Sequence, residues 1–225
     1  MEPRAIVIGA GPSIYKQNHL RRIADSNFEG FLFISDSMLK PCLQNNITPD
    51  KFKMIVCTLE DFLPVFALPY FDGAQIRLWA PLIRIVKAKR VRPAVIDILE
   101  KQGFMIETTE DPEINISCNV GLMCWKLASL VCNKVALVGI DHAFDESYIP
   151  PAKQYDDIYK SCFEEIENPY TNQKLILNPL FISWRIEFLE LIEAKRVKTY
   201  NCTGGGSIFG RDIEYLELED FIGNN

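Results

Sequence analysis

The sequence lacks the usual signatures of a zinc site or of nucleophilic catalysis. It has only two histidines, and no C-x-x-C pair occurs among its seven cysteines, so spacing supports neither a zinc site nor a Ser-His-Asp or Cys-His arrangement. Most cysteines lie inside apolar segments, which predicts buried free thiols in a reducing compartment. A phosphate-binding loop of the form G-x-x-x-x-G-K-[ST] is also missing.

Long apolar runs and an excess of positive charge are absent as well. The longest apolar stretch, 62–71, is interrupted by two prolines and is about half the ~20 residues that a membrane-spanning helix needs. The net charge of −6 gives no general attraction to nucleic acid. Because the N-terminal apolar run passes directly into glycines without a signal-peptide pattern, we expect a cytoplasmic protein.

The 225 residues, 48% of them hydrophobic, show alternating strand and helix patterns. Strands are predicted at Ala5–Ile8, Gly30–Ile34, Met54–Cys57, Gln75–Trp79, Phe104–Glu107, Lys134–Val138 and Val197–Tyr200. Helices are predicted at Ile14–Ala24, Asp36–Asn45, Ala94–Gln102, Val120–Val131 and Leu180–Glu193. This alternation predicts one Rossmann-like α/β domain over 1–225, with a mostly parallel sheet and helices on both faces.

One segment, at about 145–179, departs from this alternation. It contains Pro150-Pro151, three tyrosines and an acidic run, and it follows the end of a predicted strand. Ligand crevices in open α/β sheets form at such strand ends, so the insertion is either an active-site lid or a surface excursion packed by its own aromatic residues.

A glycine turn follows the first strand. In Gly9-Ala10-Gly11-Pro12-Ser13 the glycines allow close backbone approach, and Pro12 and Ser13 are suited to a helix start. Such a turn binds phosphate or is a plain connection between strand and helix. The dinucleotide pattern G-x-G-x-x-G is incomplete, because Ile14 stands where the third glycine belongs.

Acidic residues follow three predicted strands. Asp36 ends the second strand, Glu60 and Asp61 follow the third, and Asp141 follows the sixth. The carboxyl ends of parallel strands share one edge of the sheet, which here also carries the glycine turn. Carboxylates beside bound phosphates suit a Mg²⁺-nucleotide site, although each acid alone is also typical of a helix cap or turn.

Both histidines lie in predicted elements or at their ends. His19 falls on the polar face of the first predicted helix, where we expect it in solvent. His142 follows Asp141 and is a candidate for acid–base chemistry.

A second glycine-rich loop follows the last predicted strand, in the sequence Asn201-Cys-Thr203-Gly204-Gly205-Gly206-Ser207. Three successive glycines are entropically costly to order, so the backbone here is expected to approach either a ligand or the sheet itself.

The segment 84–92 holds five basic residues in an otherwise acidic chain. These residues either reach a phosphorylated substrate across the crevice or form a solvated helix face.

The ordered segments IVIGAGPSI, ISDSMLKPCLQNNITPDKF with VCTLED, ISCNVGLMCWKLASLVCNKVALVGIDHAF and YNCTGGGSIFG resemble the MptE-like family, named for the archaeal 6-hydroxymethylpterin diphosphokinase. The chain is also distantly similar to bacterial sialyltransferases with a G-x-G-P-S turn and a G-[IV]-D strand end. It has no histidine after position 142 to act as the base of sialyl transfer.

The resemblance to the diphosphokinases implies a set of site residues. The implied nucleotide-binding residues are Gly9, Gly11, Pro12, Ser13, Asp36, Asn119, Gly139, Asn201, Thr203, Gly204 and Gly205. The implied Mg²⁺ ligands are Asp36, Glu60 and Asp61, and Asp141 or Asp61 is the implied catalytic carboxylate.

The function expected from this resemblance is Mg²⁺-dependent diphosphoryl transfer from ATP to a small hydroxymethyl acceptor such as a pterin. The alternatives are a glycosyltransferase that uses a nucleotide-sugar donor for surface glycans, and a non-catalytic nucleotide-binding module. The expected partners are therefore small molecules, with no nucleic acid and no membrane span, while homo-oligomerisation is left open.

Overall fold

The computed structural model describes residues 2–59, 77–112, 114, 119–145, 161–195, 197–210 and 212–223. Within these residues two sheets are formed. The strands are β1 (Arg4–Ile8), β2 (Phe31–Ser35), β3 (Lys53–Thr58), β4 (Arg84–Lys87), β5 (Met105–Thr108), β6 (Lys134–Val138), β7 (Phe144–Asp145), β8 (Glu164–Glu167), β9 (Lys174–Leu177), β10 (Lys198–Asn201) and β11 (Ile213–Tyr215).

The main sheet is parallel throughout and has the strand order β11-β10-β6-β1-β2-β3-β4-β5. The order reverses at β1, which pairs with β2 on one side and with β6 on the other. Open α/β sheets bind ligands at such a switch point, outside the carboxyl ends of the strands. The predicted α/β fold with a mostly parallel sheet is confirmed.

Helices cover both faces of this sheet. They are α1 (Ser13–Lys16), α2 (His19–Ala24), α3 (Leu39–Gln44), α4 (Pro93–Lys101), α5 (Val120–Val131), α6 (Pro179–Lys195) and α7 (Leu218–Gly223). Side chains of α2, α3, α4 and α7 share one core cluster with alternate residues of the strands, and side chains of α5 and α6 share the other. The two cores arise because successive residues of a strand point to opposite faces.

The predicted strand Gln75–Trp79 is wrong over residues 77–79, the part of it that the structure describes. Residues 77–79 are helical and continue into a 3-10 turn at Ala80–Leu82, while residues 75 and 76 lie outside the described part. The fourth strand is instead β4, which lies inside the basic segment 84–92. The interpretation of this segment as a solvated helix face is therefore also wrong. Lys89 pairs with Glu110, and Arg90 donates to the Leu59 carbonyl oxygen at 2.8 Å.

The helix predicted over Ile14–Ala24 is two helices, α1 and α2. Asn18 between them has a φ of 54°, a left-handed conformation that asparagine tolerates better than most residues. The helix predicted from Asp36 likewise begins as a 3-10 turn, Asp36–Met38, before α3.

The insertion at 145–179 contributes to a second, antiparallel sheet in the order β7-β9-β8. Its residues 146–160 lie outside the described part, so its role as a lid stays a prediction. Five cysteines are buried free thiols as predicted, whereas Cys162 is exposed and Cys118 is outside the described part. No helix among the described residues is long and apolar enough to cross a membrane.

The core of the α5 face centres on Trp125. This side chain is fully buried, packs on Phe188 of α6 and donates its indole N–H to the Thr199 hydroxyl of β10 at 3.0 Å. The hydrogen bond links the helix layer to the sheet, because an indole N–H needs a partner when it is buried.

We expect Thr199→Val to lower the free energy of unfolding by about 1–3 kcal/mol, because it leaves the buried indole N–H without its acceptor. Urea denaturation measures this. Thr108→Val, the same change at an exposed position of β5, should stay within about 0.5 kcal/mol. Equal effects of the two variants would contradict a stabilising role for the Trp125–Thr199 bond.

Candidate functional site

The glycine turn after β1 is bonded to the end of β6. The Gly9 amide donates to the Val138 carbonyl oxygen at 2.9 Å, and the Gly11 amide donates to that of Gly139 at 2.8 Å. The turn therefore continues the β1–β6 ladder beyond the strands. These two amides, which a phosphate-binding turn would offer to a ligand, are paired with protein.

Close approach between these two chain segments requires the glycines. A Cβ on Gly9 would collide with the Ile140 side chain, and a Cβ on Gly11 would collide with the Asp141 carboxylate. Gly139 has a φ of +66°, which few residues other than glycine adopt. The structure thus gives the glycines a packing reason, and their role in phosphate binding stays a prediction.

Asp141 fastens the start of α1 to β6. Its Oδ2 accepts the Ser13 hydroxyl at 2.8 Å and lies 3.4 Å from the Ser13 amide nitrogen, and only 8% of the residue is exposed. A charged acceptor strengthens such a bond. Asp141 therefore positions the glycine turn, whereas its predicted catalytic role stays untested by the geometry.

The second glycine loop is fastened to the same strand end. The Ser207 amide donates to the Asp141 carbonyl oxygen at 2.8 Å, and the Ser207 hydroxyl donates to that of His142 at 2.9 Å. A Cβ on Gly206 would lie 2.9 Å from Asp141 Cα, and its φ of +73° also favours glycine. Both glycine-rich segments therefore meet at residues 139–142.

Asn201 shapes the second loop from within. It is fully buried, and its Nδ2 donates to the carbonyl oxygens of Gly205 at 3.1 Å and Ile208 at 2.8 Å. Its Oδ1 accepts the Thr203 amide at 2.8 Å, and the Thr203 hydroxyl donates to the Leu137 carbonyl oxygen at 3.3 Å. Asn201, Thr203 and Gly205, which were predicted to bind the nucleotide, thus form hydrogen bonds with other groups of the protein.

Residues from outside the loop flank its glycines. A Cβ on Gly204 would meet the Gln17 side chain at 3.0 Å, and one on Gly205 would meet Gln173 Oε1 at 2.6 Å. Asn168, at the turn between β8 and β9, is fully buried and donates to the Gly206 carbonyl oxygen at 2.8 Å. The insertion therefore reaches the site through this turn.

Asn119 is the N-cap of α5 at the same edge of the sheet. Its Oδ1 accepts the Leu122 amide at 3.2 Å, and its Nδ2 lies 2.9 Å from His142 Nε2. Because the cap fixes the amide orientation, Nδ2 is the donor and neutral His142 carries its proton on Nδ1. Gly121 and Gly9 both face the Ile140 side chain, so the start of α5 is a neighbour of the glycine turn.

Burial keeps both histidines neutral. Desolvation lowers the pKa of His142 to about 4, and its ring packs on Trp184 and Phe188 at 5.7 and 5.8 Å. Burial and then the nearby Arg22 charge lower the pKa of His19 to about 4. The expectation that His19 lies in solvent is wrong, since only 1% of it is exposed.

Asp36 lies at the end of β2, two strands away from β6. Its carboxylate accepts the Thr58 hydroxyl and the Ser37 amide, both at 2.7 Å, and 3% of the residue is exposed. In the part of the chain that the structure describes, no three His, Cys, Asp or Glu side chains are grouped to hold a metal ion. The predicted ligands Glu60 and Asp61 lie outside that part.

The structure brings most of the predicted nucleotide residues together around the end of β6. Gly206 and Ser207 of the second glycine-rich loop, which the sequence marks by its three successive glycines, lie there too. Residues that sequence reasoning missed also converge there, namely Gln17, Gly121, Asn168 and Gln173. Nothing in the spacing of Asn168 or Gln173 marks them, because they reach the loop only through the fold of the insertion.

Gly11→Ala should destabilise the folded protein, because the added Cβ would displace the Asp141 carboxylate from Ser13. We expect a loss of roughly 2 kcal/mol or more in the free energy of unfolding, measured by urea denaturation. Gly210→Ala is the matched control, since its Cβ would meet only the Leu189 side chain at 3.7 Å. Equal stability of the two variants would contradict this account of the turn.

Acid should destabilise the protein through His19 and His142. Because their folded pKa of about 4 lies below the unfolded value of 6.5, the unfolded state takes up protons first. The free energy of unfolding should therefore fall as the pH drops from about 6.5 to about 4, by up to ~1.4 kcal/mol per pH unit and per histidine.

The variant His142→Asn isolates one of these contributions. Asparagine tolerates the positive φ of 42° at this position and does not titrate. Urea denaturation across this pH range should give a shallower dependence on pH than for the unmodified protein. An unchanged slope would show that His142 is not buried in its neutral form.

Comparison with known proteins bears on the first two thirds of the chain. A family model described as 6-hydroxymethylpterin diphosphokinase MptE-like matches residues 2–147. Comparisons with curated proteins and with solved structures gave no significant match. The matched segment contains the glycine turn, the start of α5 and the end of β6, and it covers well over half of the sequence. The chain therefore belongs to the 6-hydroxymethylpterin diphosphokinase MptE-like family.

Proposed function

We propose that the protein is a Mg²⁺-dependent transferase that moves a diphosphoryl group from ATP to the hydroxyl of a small hydroxymethyl acceptor, of which a pterin is the model. The observation that carries this proposal is the family match over residues 2–147, because the family is named for a diphosphokinase and its name suggests a transferase-like function. A cytoplasmic location accords with this donor and with the five buried free thiols.

The carboxyl edge of the main sheet is the proposed nucleotide site. α5 begins there with Asn119, and the positive end of a 12-residue helix favours anionic phosphates. The glycine turn lies beside this helix start, across the Ile140 side chain. The donor phosphates would lie outside the carboxyl ends of β1 and β6, at the switch point that both elements border.

The side-chain oxygens at Asp36 are of the chemical type that Mg²⁺ prefers. The Asp36 carboxylate and the Thr58 hydroxyl are hard ligands, and Mg²⁺ is commonly held by one or two carboxylates together with substrate phosphates. Bound there, the ion would offset charge on the phosphates during transfer. Glu60 and Asp61 follow β3, the strand beside Asp36, and are the proposed additional ligands.

The residues around the end of β6 position the reacting groups. Asp141 holds Ser13, and through Ser13 it fixes the glycine turn against which the donor would lie. In this proposal, Asp141 or Asp61 orients or deprotonates the acceptor hydroxyl. Most of the rate enhancement in such transfers comes from positioning and charge stabilisation, for which a buried edge held by internal hydrogen bonds is suited.

A thermal-shift panel tests the donor. We expect ATP to raise the melting temperature only when Mg²⁺ is present, because a ligand that binds only the native state stabilises it by mass action. GTP, CMP, a CMP-sugar and a UDP-sugar are tested in parallel, each with and without Mg²⁺. Stabilisation by CMP or a nucleotide sugar without metal would contradict diphosphoryl transfer and favour glycosyl transfer.

Asp36→Asn tests the metal assignment. The change keeps the side-chain size and an oxygen for the Thr58 bond, but removes the negative charge. We expect the Mg²⁺-dependent part of the ATP shift to disappear. Asp220→Asn, on the exposed surface of α7, is the matched control and should keep the full shift. An unchanged Mg²⁺ dependence in Asp36→Asn would remove Asp36 from the site.

A further inference from the structure

At the opposite edge of the sheet from the glycine turn, the described residues leave the side chains of one region accessible. α5 packs against β1, β2, β3 and β6, on the face that also carries α6. At the amino ends of β4 and β5, at the far end of the sheet, two side chains of this face are accessible: that of Arg84 is 51% exposed, and Met105 is 48% exposed as a residue. A parallel sheet normally has both faces covered, and the exposed apolar side chains here include Leu82 as well as Met105.

The strand register places five residues of this region on one face. Phe31 pairs with Lys53, Ile55 two residues later pairs with Arg84, and Arg84 pairs with Met105. Paired residues of parallel strands share a face, and so do residues two apart on one strand. Aromatic, cationic and apolar side chains therefore form one row across the amino ends of β2 to β5.

This row borders a cavity of about 480 Å³, within the range of small-molecule sites. Its apolar lining includes Phe31, Leu82 and Met105, and its basic lining is Lys51, Lys53 and Arg84. Leu82 is 51% exposed, so the cavity presents apolar surface to solvent. A second hollow of about 570 Å³ adjoins it and shares the two lysines.

The charge of the cavity is opposite to that of the chain. Its described lining residues include three cations and one carboxylate, that of Asp50, in a protein with a net charge of −6. Lys53 Nζ lies 5.4 Å from the centre of the Phe31 ring, so a cation is held directly beside apolar surface. Arg84 also contacts Glu107, with 3.4 Å between its Nε and the carboxylate oxygen.

We propose that this amino-edge cavity, formed at the starts of β2 to β5, binds a small amphipathic anion. Its acyl or aryl part would lie against Phe31, Leu82 and Met105, and its phosphate or carboxylate would face Lys53 and Arg84. Apolar contact and charge pairing would then act on the same ligand, as in other sites with an apolar lining and few polar groups. The site is separate from the proposed nucleotide site, which lies at the carboxyl edge.

The test is calorimetric titration with octyl phosphate below its micelle concentration, and with octanol and inorganic phosphate as partial ligands. We expect octyl phosphate to bind at least tenfold more tightly than either. In the double variant Lys53→Met and Arg84→Met, octyl phosphate binding should weaken at least tenfold while octanol binding is kept. The double variant Lys174→Met and Lys198→Met removes two charges at exposed positions of β9 and β10, so it is the charge-matched control and should bind like the unmodified protein.

Several results would overturn the proposal. Equal binding of octanol and octyl phosphate, no binding of octyl phosphate, or unchanged binding in the double variant would each do so. Binding only to anionic phospholipid vesicles would assign the region to a membrane surface, and a concentration-dependent dimer lost in the double variant would assign it to a second copy of the chain. ATP binding should stay unchanged in the double variant, which separates this test from that of the proposed function.

Discussion

The hydrogen bonds that converge on the end of β6 hold the site together. From residues 138–142 the chain accepts the amides of Gly9 and Gly11 on one side and the amide and hydroxyl of Ser207 on the other. Asp141 bonds to both loops. Its side chain accepts the hydroxyl of Ser13 after the first glycine turn, and its backbone carbonyl oxygen accepts the amide of Ser207 in the second loop. Two loops that are distant in sequence are thereby fixed at the switch point of the sheet.

This arrangement changes the interpretation of the glycines. A glycine-rich turn after a first strand suggests backbone exposed to phosphate, whereas here Gly9, Gly11 and Gly206 let segments of protein approach one another. The result is a buried edge whose two loops are held by hydrogen bonds within the protein. Such an edge suits a reaction in which positioning and charge stabilisation supply most of the catalysis.

The fold could be predicted from the sequence where the local pattern and the global structure agree. β1, β3 and β6 are short apolar runs, and α5 spans the predicted residues. β4 was not predicted because its first and last residues, Arg84 and Lys87, are basic. The two buried apolar residues between them, Ile85 and Val86, are too short a run to predict a strand within the basic segment. The contacts of Asn168 with the second glycine loop could not be predicted, since they depend on tertiary packing of the insertion.

The central claim is that the nucleotide binds at the carboxyl edge, around the end of β6. Hydrogen–deuterium exchange with and without Mg²⁺-ATP tests this claim most directly, because it locates the protected amides along the chain. The account predicts added protection in 9–14, 119–123, 139–142 and 201–207. Protection confined to the amino ends of β2 to β5, or no change in exchange at saturating Mg²⁺-ATP, would contradict it.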